Sequence, residues 1–327
     1  MTAARLRIGV AGAGYFGRFH ALKVAASPRA VLSGITDPDP ARAAALAQEA
    51  GAPALGWQAL LAASDAIVVA APAEAHFELA DAALAAGRHV LVEKPIAATL
   101  DQADRLAARA AAAGRVLQVG HLLRYTAEYQ AITARMRRPV YIECVRIAPF
   151  KPRGTDVSVI LDLMIHDLDL ALLLVDSELD GVDAMGMAVA SPLDDIANAR
   201  LRFRNGCVVS ITASRISLRT ERKMRLFSQE GYMTVDFTTR RLTMIGREPG
   251  AGMPVPGMPG AVMEEVSWTD HDALAAEHAA FVAAVLDGAP VAVDAAAGRR
   301  ALAAALAVMA ALADSRAKAK AFGLIQA

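Results

Sequence analysis

The chain is 327 residues long, more than one compact domain ordinarily holds, and 55% of it is hydrophobic, which excludes global disorder and supplies core for two domains. Lys plus Arg and Asp plus Glu number 34 each, so the net charge is zero and no basic footprint points to a nucleic-acid partner. Cys144 and Cys207 lie far apart in strand-like stretches and read as small buried hydrophobes of a reducing compartment.

The N-terminus reaches RLRIGVAGAG at once, and its apolar run ends in glycines rather than a cleavage site, so no signal peptide is expected. Residues 5–11 read as a strand, followed by glycines and by YFGRFHALKVAAS at helical spacing. VLSGITD (31–37) is the next strand, and PARAAALAQEAG is a helix closed by glycine. AIVVAAP (66–72), HVLVEKP (89–95) and VLQVG (116–120) are further strands. They are separated by the helices AEAHFELADAALAAG and TLDQADRLAARAAAAG, the second opened by Thr99. This alternation is the pattern of a parallel, doubly wound sheet.

After residue 120 the rhythm changes. A helix at about 125–137 leads to the strand VYIECVRIA (140–148), a polar loop FKPRGTD (150–156) and a second helix. Closely spaced strand-like runs follow: VDAMGMAVA, ANARLRFR, CVVSITASR, KMRLFSQ, YMTVDFT and RRLTMIG. PGAGMPVPGMPG (249–260) reads as a surface loop, and helices at about 272–287 and 295–314 end the chain. The longest apolar run, ALAAALAVMAALA (301–313), is too short to span a bilayer and reads as a core helix. A soluble, cytoplasmic protein with neither a membrane nor a nucleic-acid partner is expected.

GAGYFG (12–17) is GxGxxG, with Tyr15 and Phe16 between the last two glycines. It follows a strand and opens a helix, and Asp37 ends the next strand, which is the context a dinucleotide site requires. Gly12 permits the tight turn, Gly14 admits the pyrophosphate, and Gly17 lets helix and strand pack closely. Asp37 would accept from ribose hydroxyls and repel a 2′-phosphate, favouring NAD over NADP, while Arg42 and Arg29 nearby keep NADP open. Glu93, Lys94 and Pro95 stand at the carboxyl end of the fourth strand, where such sheets bind ligands.

In VILDLMIHDLDLALLLV (159–175), three aspartates and a histidine interrupt an apolar helix, where an unpaired carboxylate is costly. At about 100° per residue, Asp162, His166 and Asp169 fall within about 60° of one another, and Asp167 points about 100° away from His166. A carboxylate beside His166 would orient its ring and raise its pKa from the reference ~6.5, which suits a general base. Neither the chemistry nor any ligand spacing calls for a metal.

Taken in order, GAGYFG, AAPAEAH (70–76), EKP (93–95), GHLLRY (120–125) and DLMIHD (162–167) resemble the Gfo/Idh/MocA oxidoreductases across essentially the whole chain. The resemblance implies an N-terminal Rossmann NAD(P)-binding domain (1–120). It also implies a C-terminal α+β domain (121–327) with a large open, mainly antiparallel sheet for substrate binding and oligomerisation. Lys94, Asp162 and His166 would form the catalytic group, with His166 as acid/base. Ala71, Pro72, His76 and Glu93 would lie near the nicotinamide.

Within the family, FKPRGTDVSVILDLMIHDLDLALLL resembles the branch acting on nucleotide sugars, the UDP-N-acetylglucosamine 3-dehydrogenases. These make a 3-ketone that a partner aminotransferase converts to an amine for lipid A precursors. GHLLRY keeps Arg124, but Leu123, Tyr125 and Thr126 replace that branch's Glu, Phe and Asn. Arg124, Lys151, Arg153 and Thr155 would present charge and donors to a diphosphate or sugar. The alternatives are a dehydrogenase of a free sugar, inositol or other cyclic polyol, and a non-catalytic NAD-binding sensor. A homodimer or homotetramer is expected.

Overall fold

The computed structural model describes residues 5–151, 157–247, 252–269 and 271–325. They fold as two compact units, one running to Tyr125 and including Asp272–Leu302, the other comprising Thr126–His271 and the chain from Ala303.

In the first unit, β1 (Leu6–Ala11), β2 (Ala30–Thr36), β3 (Ala66–Val69), β4 (His89–Glu93) and β5 (Leu117–Gly120) form a parallel sheet in the order β2-β1-β3-β4-β5. Strands such as AIVV and VLVE are apolar without alternation because helices cover both faces. The helices are α1 (Tyr15–Ala26), α2 (Pro40–Ala50), α3 (Trp57–Ala63), α4 (His76–Ala85) and α5 (Leu100–Ala113). Asp39 caps α2, and Thr99 with Gln102 forms a capping box on α5. The short α3 is not anticipated from sequence. The chain runs from β1 out to β2 and returns to β3 on the other side, so the ligand crevice falls beyond β1 and β3.

In the second unit, α6 (Ala127–Arg135) precedes β6 (Tyr141–Ile147), and α7 (Ile165–Val175) precedes β7 (Leu179–Met187), β8 (Ile196–Phe203) and β9 (Val208–Ser214). Then come β10 (Glu221–Ser228), β11 (Gly231–Asp236), β12 (Arg241–Gly246), β13 (Met253–Pro254) and β14 (Val262–Ser267). The nine-stranded order is β13-β14-β12-β11-β10-β6-β9-β8-β7, antiparallel except where β6 pairs with β9. Along β6, β8 and β9 alternate residues are buried, so one face carries core side chains such as Ile142, Leu201 and Ile211. The mainly antiparallel sheet agrees with the sequence expectation. However, β14 lies just beyond the Gly/Pro/Met stretch that reads as loop.

The closing helices are α8 (Ala273–Asp287) and α9 (Ala295–Ala321). The sequence places both in the second domain, yet Phe281 and Val282 of α8 complete the hydrophobic cluster of β1, β2 and β3, which draws Asp272–Leu302 into the first unit. With 27 residues, α9 is longer than its apolar run and by length and composition could cross a membrane. Ala301, Leu302, Ala305, Val308 and Leu312 are instead buried in the protein, as in a core helix.

Candidate active site

The chain leaves β1 through Gly12, whose φ of 108° disfavours any L side chain, and Gly12 N donates to the Thr36 carbonyl at 2.8 Å. A Cβ on Gly17 would stand 1.9 Å from the Gly12 carbonyl oxygen, so only glycine lets α1 pack on this turn. Around Gly14 the space is open, and the start of α1 has no side-chain cap. The N–H groups of its first turn, beside exposed Tyr15 and Phe16, make a cradle suited to a diphosphate.

Asp37, at the end of β2, accepts from Ala13 N at 2.7 Å, Asp39 N at 2.8 Å and Arg42 at 3.0 Å. Burial alone would raise this carboxyl, but the two amides and the guanidinium outweigh it and hold it below the usual carboxylate range. Ionised, it keeps acceptor capacity for ribose hydroxyls. The donor set and the open glycine therefore fit a dinucleotide. Arg29 does not belong with Arg42: it precedes β2 at the opposite end of the strand and forms a bidentate pair with Asp287 at 2.7 Å.

Ala71, Pro72 and His76 follow β3, and Glu93 ends β4 with Lys94 and Pro95 after it, so the parallel register brings both sets to one sheet edge. His76 is buried, with Nδ1 2.7 Å from the Pro95 carbonyl and Nε2 2.9 Å from that of Ala71, and so ties the two exits together. Burial holds its imidazole below its ordinary value, more than those carbonyls and Glu93 raise it. Lys94 is half-buried. Glu93 is buried behind it and bound to His20 at 2.7 Å. Arg124 lies on the short turn Leu122–Tyr125 and reaches the Ala292 carbonyl at 3.4 Å.

In the second unit, α7 is preceded by a π-helical turn, Ile160–Met164, which changes the phase of Asp162 relative to the regular 100° step. Asp162 and His166 are half-buried, whereas Asp167 and Asp169 are fully buried. Arg146 of β6 answers Asp167 with bonds of 2.8 and 2.7 Å. Arg146 is missed by sequence reading, though it stands on the inward parity of Ile142 and Cys144, where a lone cation demands a buried acid. The segment entering this helix is held by Arg215, which donates to the Val157 carbonyl at 2.9 Å and to Asp195 at 2.8 Å. Lys151 is exposed, while Arg153 and Thr155 lie outside the described residues. Burial, and then Asp167, pushes the Cys144 thiol well up, and burial alone takes Cys207 to about 11, so neither offers a thiolate at neutral pH.

A doubly wound sheet with this glycine turn, an acid at the end of β2 and a lysine at the carboxyl edge defines a dinucleotide-dependent oxidoreductase. Residues 6–121 match the oxidoreductase family with an NAD-binding Rossmann fold, and residues 128–234 match the GFO/IDH/MocA C-terminal domain. The chain belongs to the Gfo/Idh/MocA family and is an NAD-dependent oxidoreductase acting on CH–OH groups. It is 43% identical to UDP-N-acetylglucosamine 3-dehydrogenase from Acidithiobacillus ferrooxidans, over 93% of this chain and 96% of that one. A solved structure of the dehydrogenase from that organism superposes with a TM-score of 0.88 at 42% identity, covering 94% of this chain and 97% of the other. An inositol 2-dehydrogenase from Cereibacter sphaeroides is 35% identical over 53% of this chain and 55% of its own.

Proposed function

We propose that the protein oxidises the 3-hydroxyl of UDP-N-acetylglucosamine with NAD. The observation that carries this reading is the identity of 43% with a UDP-N-acetylglucosamine 3-dehydrogenase over 93% of the chain. The inositol 2-dehydrogenase likeness spans only 53% and supports a cyclic polyol as the second candidate.

In this reading His166 takes the hydroxyl proton and Asp162 orients its ring. The Lys94 ammonium stabilises the developing alkoxide. Arg124, Lys151, Arg153 and Thr155 hold the diphosphate and sugar. Bound NAD supplies the hydride acceptor. The 3-ketone suits transamination, so an aminotransferase is the proposed consumer, in lipid A precursor synthesis, with the enzyme acting in the cytoplasm as a homodimer or homotetramer.

The test is a panel of UDP-sugars, free sugars and inositols with NAD and NADP, followed by nicotinamide absorbance with an aminotransferase to pull the ketone forward. UDP-N-acetylglucosamine should be turned over fastest, with NAD. Inert UDP-N-acetylglucosamine beside an active inositol would overturn the assignment, and no turnover with any alcohol would support a non-catalytic sensor.

A further inference from the structure

Behind the β4 exit, four ionisable side chains from distant parts of the chain are buried together: His20 of α1, Glu93 of β4, and Glu277 and His278 of α8. His278 Nε2 lies 2.9 Å from His20 Nδ1, and His20 Nε2 lies 2.7 Å from Glu93 Oε1. The other Glu93 oxygen accepts from the Lys94 backbone amide at 3.2 Å. Both carboxyl oxygens of Glu277 are buried without a hydrogen-bond partner among the described residues, and one polar atom from each of His20, Glu93 and Glu277 lies within 4.8 Å of the others.

Burial, and then the charge of Glu93, pushes the Glu277 carboxyl well up, which favours its neutral, protonated form. Burial, and then His20, takes His278 down to about 3, so it too is neutral. Burial would raise Glu93, but His20, Lys94 and His76 outweigh it and keep it ionised. His278 Nδ1 has no partner among the described residues, so the proton arrangement that strands no buried N–H runs one way. His278 donates to His20, and His20 donates to Glu93. The O–H of protonated Glu277 can reach the Glu93 carboxylate through one water.

We propose that Glu277 and His278, carried by the closing helix α8, are positioning residues for Lys94, acting through His20 and Glu93. The idea rests on the reading of Lys94 as the group that contacts the reacting oxygen. Neutral donors orient the Glu93 carboxylate without neutralising it, and Glu93 in turn holds the amide of the residue that follows it. A charge-bearing partner such as arginine would cancel the negative charge beside the Lys94 ammonium.

The test uses the full-length protein with its lysines reductively methylated with carbon-13, the Lys94 resonance being assigned by its loss in Lys94→Ala. Glu277→Leu should move that resonance and lower kcat at least tenfold, with the NAD dissociation constant within twofold of wild type. Glu277→Gln, which keeps the shape and a donor, should restore the resonance and bring kcat to within about threefold. An unmoved Lys94 resonance in Glu277→Leu overturns the proposal. Should that variant fail to fold, His278→Gln is read in the same way. A moved resonance with full turnover in Lys94→Ala would instead sink only the catalytic reading of Lys94. A stoichiometric divalent ion lost in Glu277→Gln would show a metal site and overturn the proposal.

Discussion

Each unit buries a carboxylate one residue from a side chain assigned to chemistry: Glu93 beside Lys94, and Asp167 beside His166. The two are compensated differently. Asp167 meets the fork of Arg146 in two short bonds, a bidentate ion pair. Glu93 meets an imidazole and one backbone amide, with a second carboxyl nearby. The first arrangement anchors a helix to a sheet, and the second leaves an acid ionised beside a lysine. A buried carboxylate is therefore no signature of function by itself; the chemistry of its partner separates anchor from site.

The largest expected effects concern the neighbours of these acids. Lys94→Ala and His166→Ala should each lower kcat about 10²–10⁴-fold while leaving NAD binding within about twofold, as read by steady-state kinetics and fluorescence titration. Next comes the anchor itself. Arg146→Met leaves the buried Asp167 unpaired and should cost about 3–5 kcal/mol in urea unfolding, whereas Arg146→Met with Asp167→Leu should recover most of it. An equal loss in the single and double variants would mean that Arg146 matters through packing alone.

The smallest effect lies in the pH dependence of the first unit. The folded Glu277 carboxyl is raised, so its stabilising contribution is full below the unfolded value of about 4.3 and is lost as pH rises towards the folded value. The folded Glu93 carboxyl is lowered, so its contribution is present above that unfolded value and is lost as pH falls. Glu277→Gln should therefore flatten the decline of Tm with rising pH without altering the acid limb. A parallel offset at every pH would contradict a titrating Glu277.

Much of the first unit is legible in sequence because its signals are local. A glycine fingerprint, strand runs and helix caps each act within a few residues, as GAGYFG and Thr99 illustrate. The antiparallel sheet is legible too, since β6, β8 and β9 alternate with period two. What escapes is non-local or masked. The strand VMEEVS follows a Gly/Pro-rich run that dominates its window. The π turn shifts a helical phase that any regular wheel assumes. The side chains buried with Glu93 stand at positions 20, 277 and 278, so no spacing announces them, although Glu277 and His278 interrupt an apolar helix much as DLMIHDLD does. In DLMIHDLD itself, helical spacing groups Asp162, His166 and Asp169 on one face and turns Asp167 away. Asp167 does point elsewhere, to the Arg146 anchor, while of the other three Asp169 is fully buried and Asp162 and His166 are half-buried.

The most direct measurement follows the transferred hydrogen. UDP-N-acetylglucosamine carrying deuterium at C3 is incubated with the enzyme and NAD, and the reduced nicotinamide is weighed by mass spectrometry. The account predicts one deuterium in the reduced cofactor and its loss from the sugar as the 3-ketone forms. Reduced cofactor without deuterium, or an unconverted sugar beside an oxidised cyclic polyol, would contradict it.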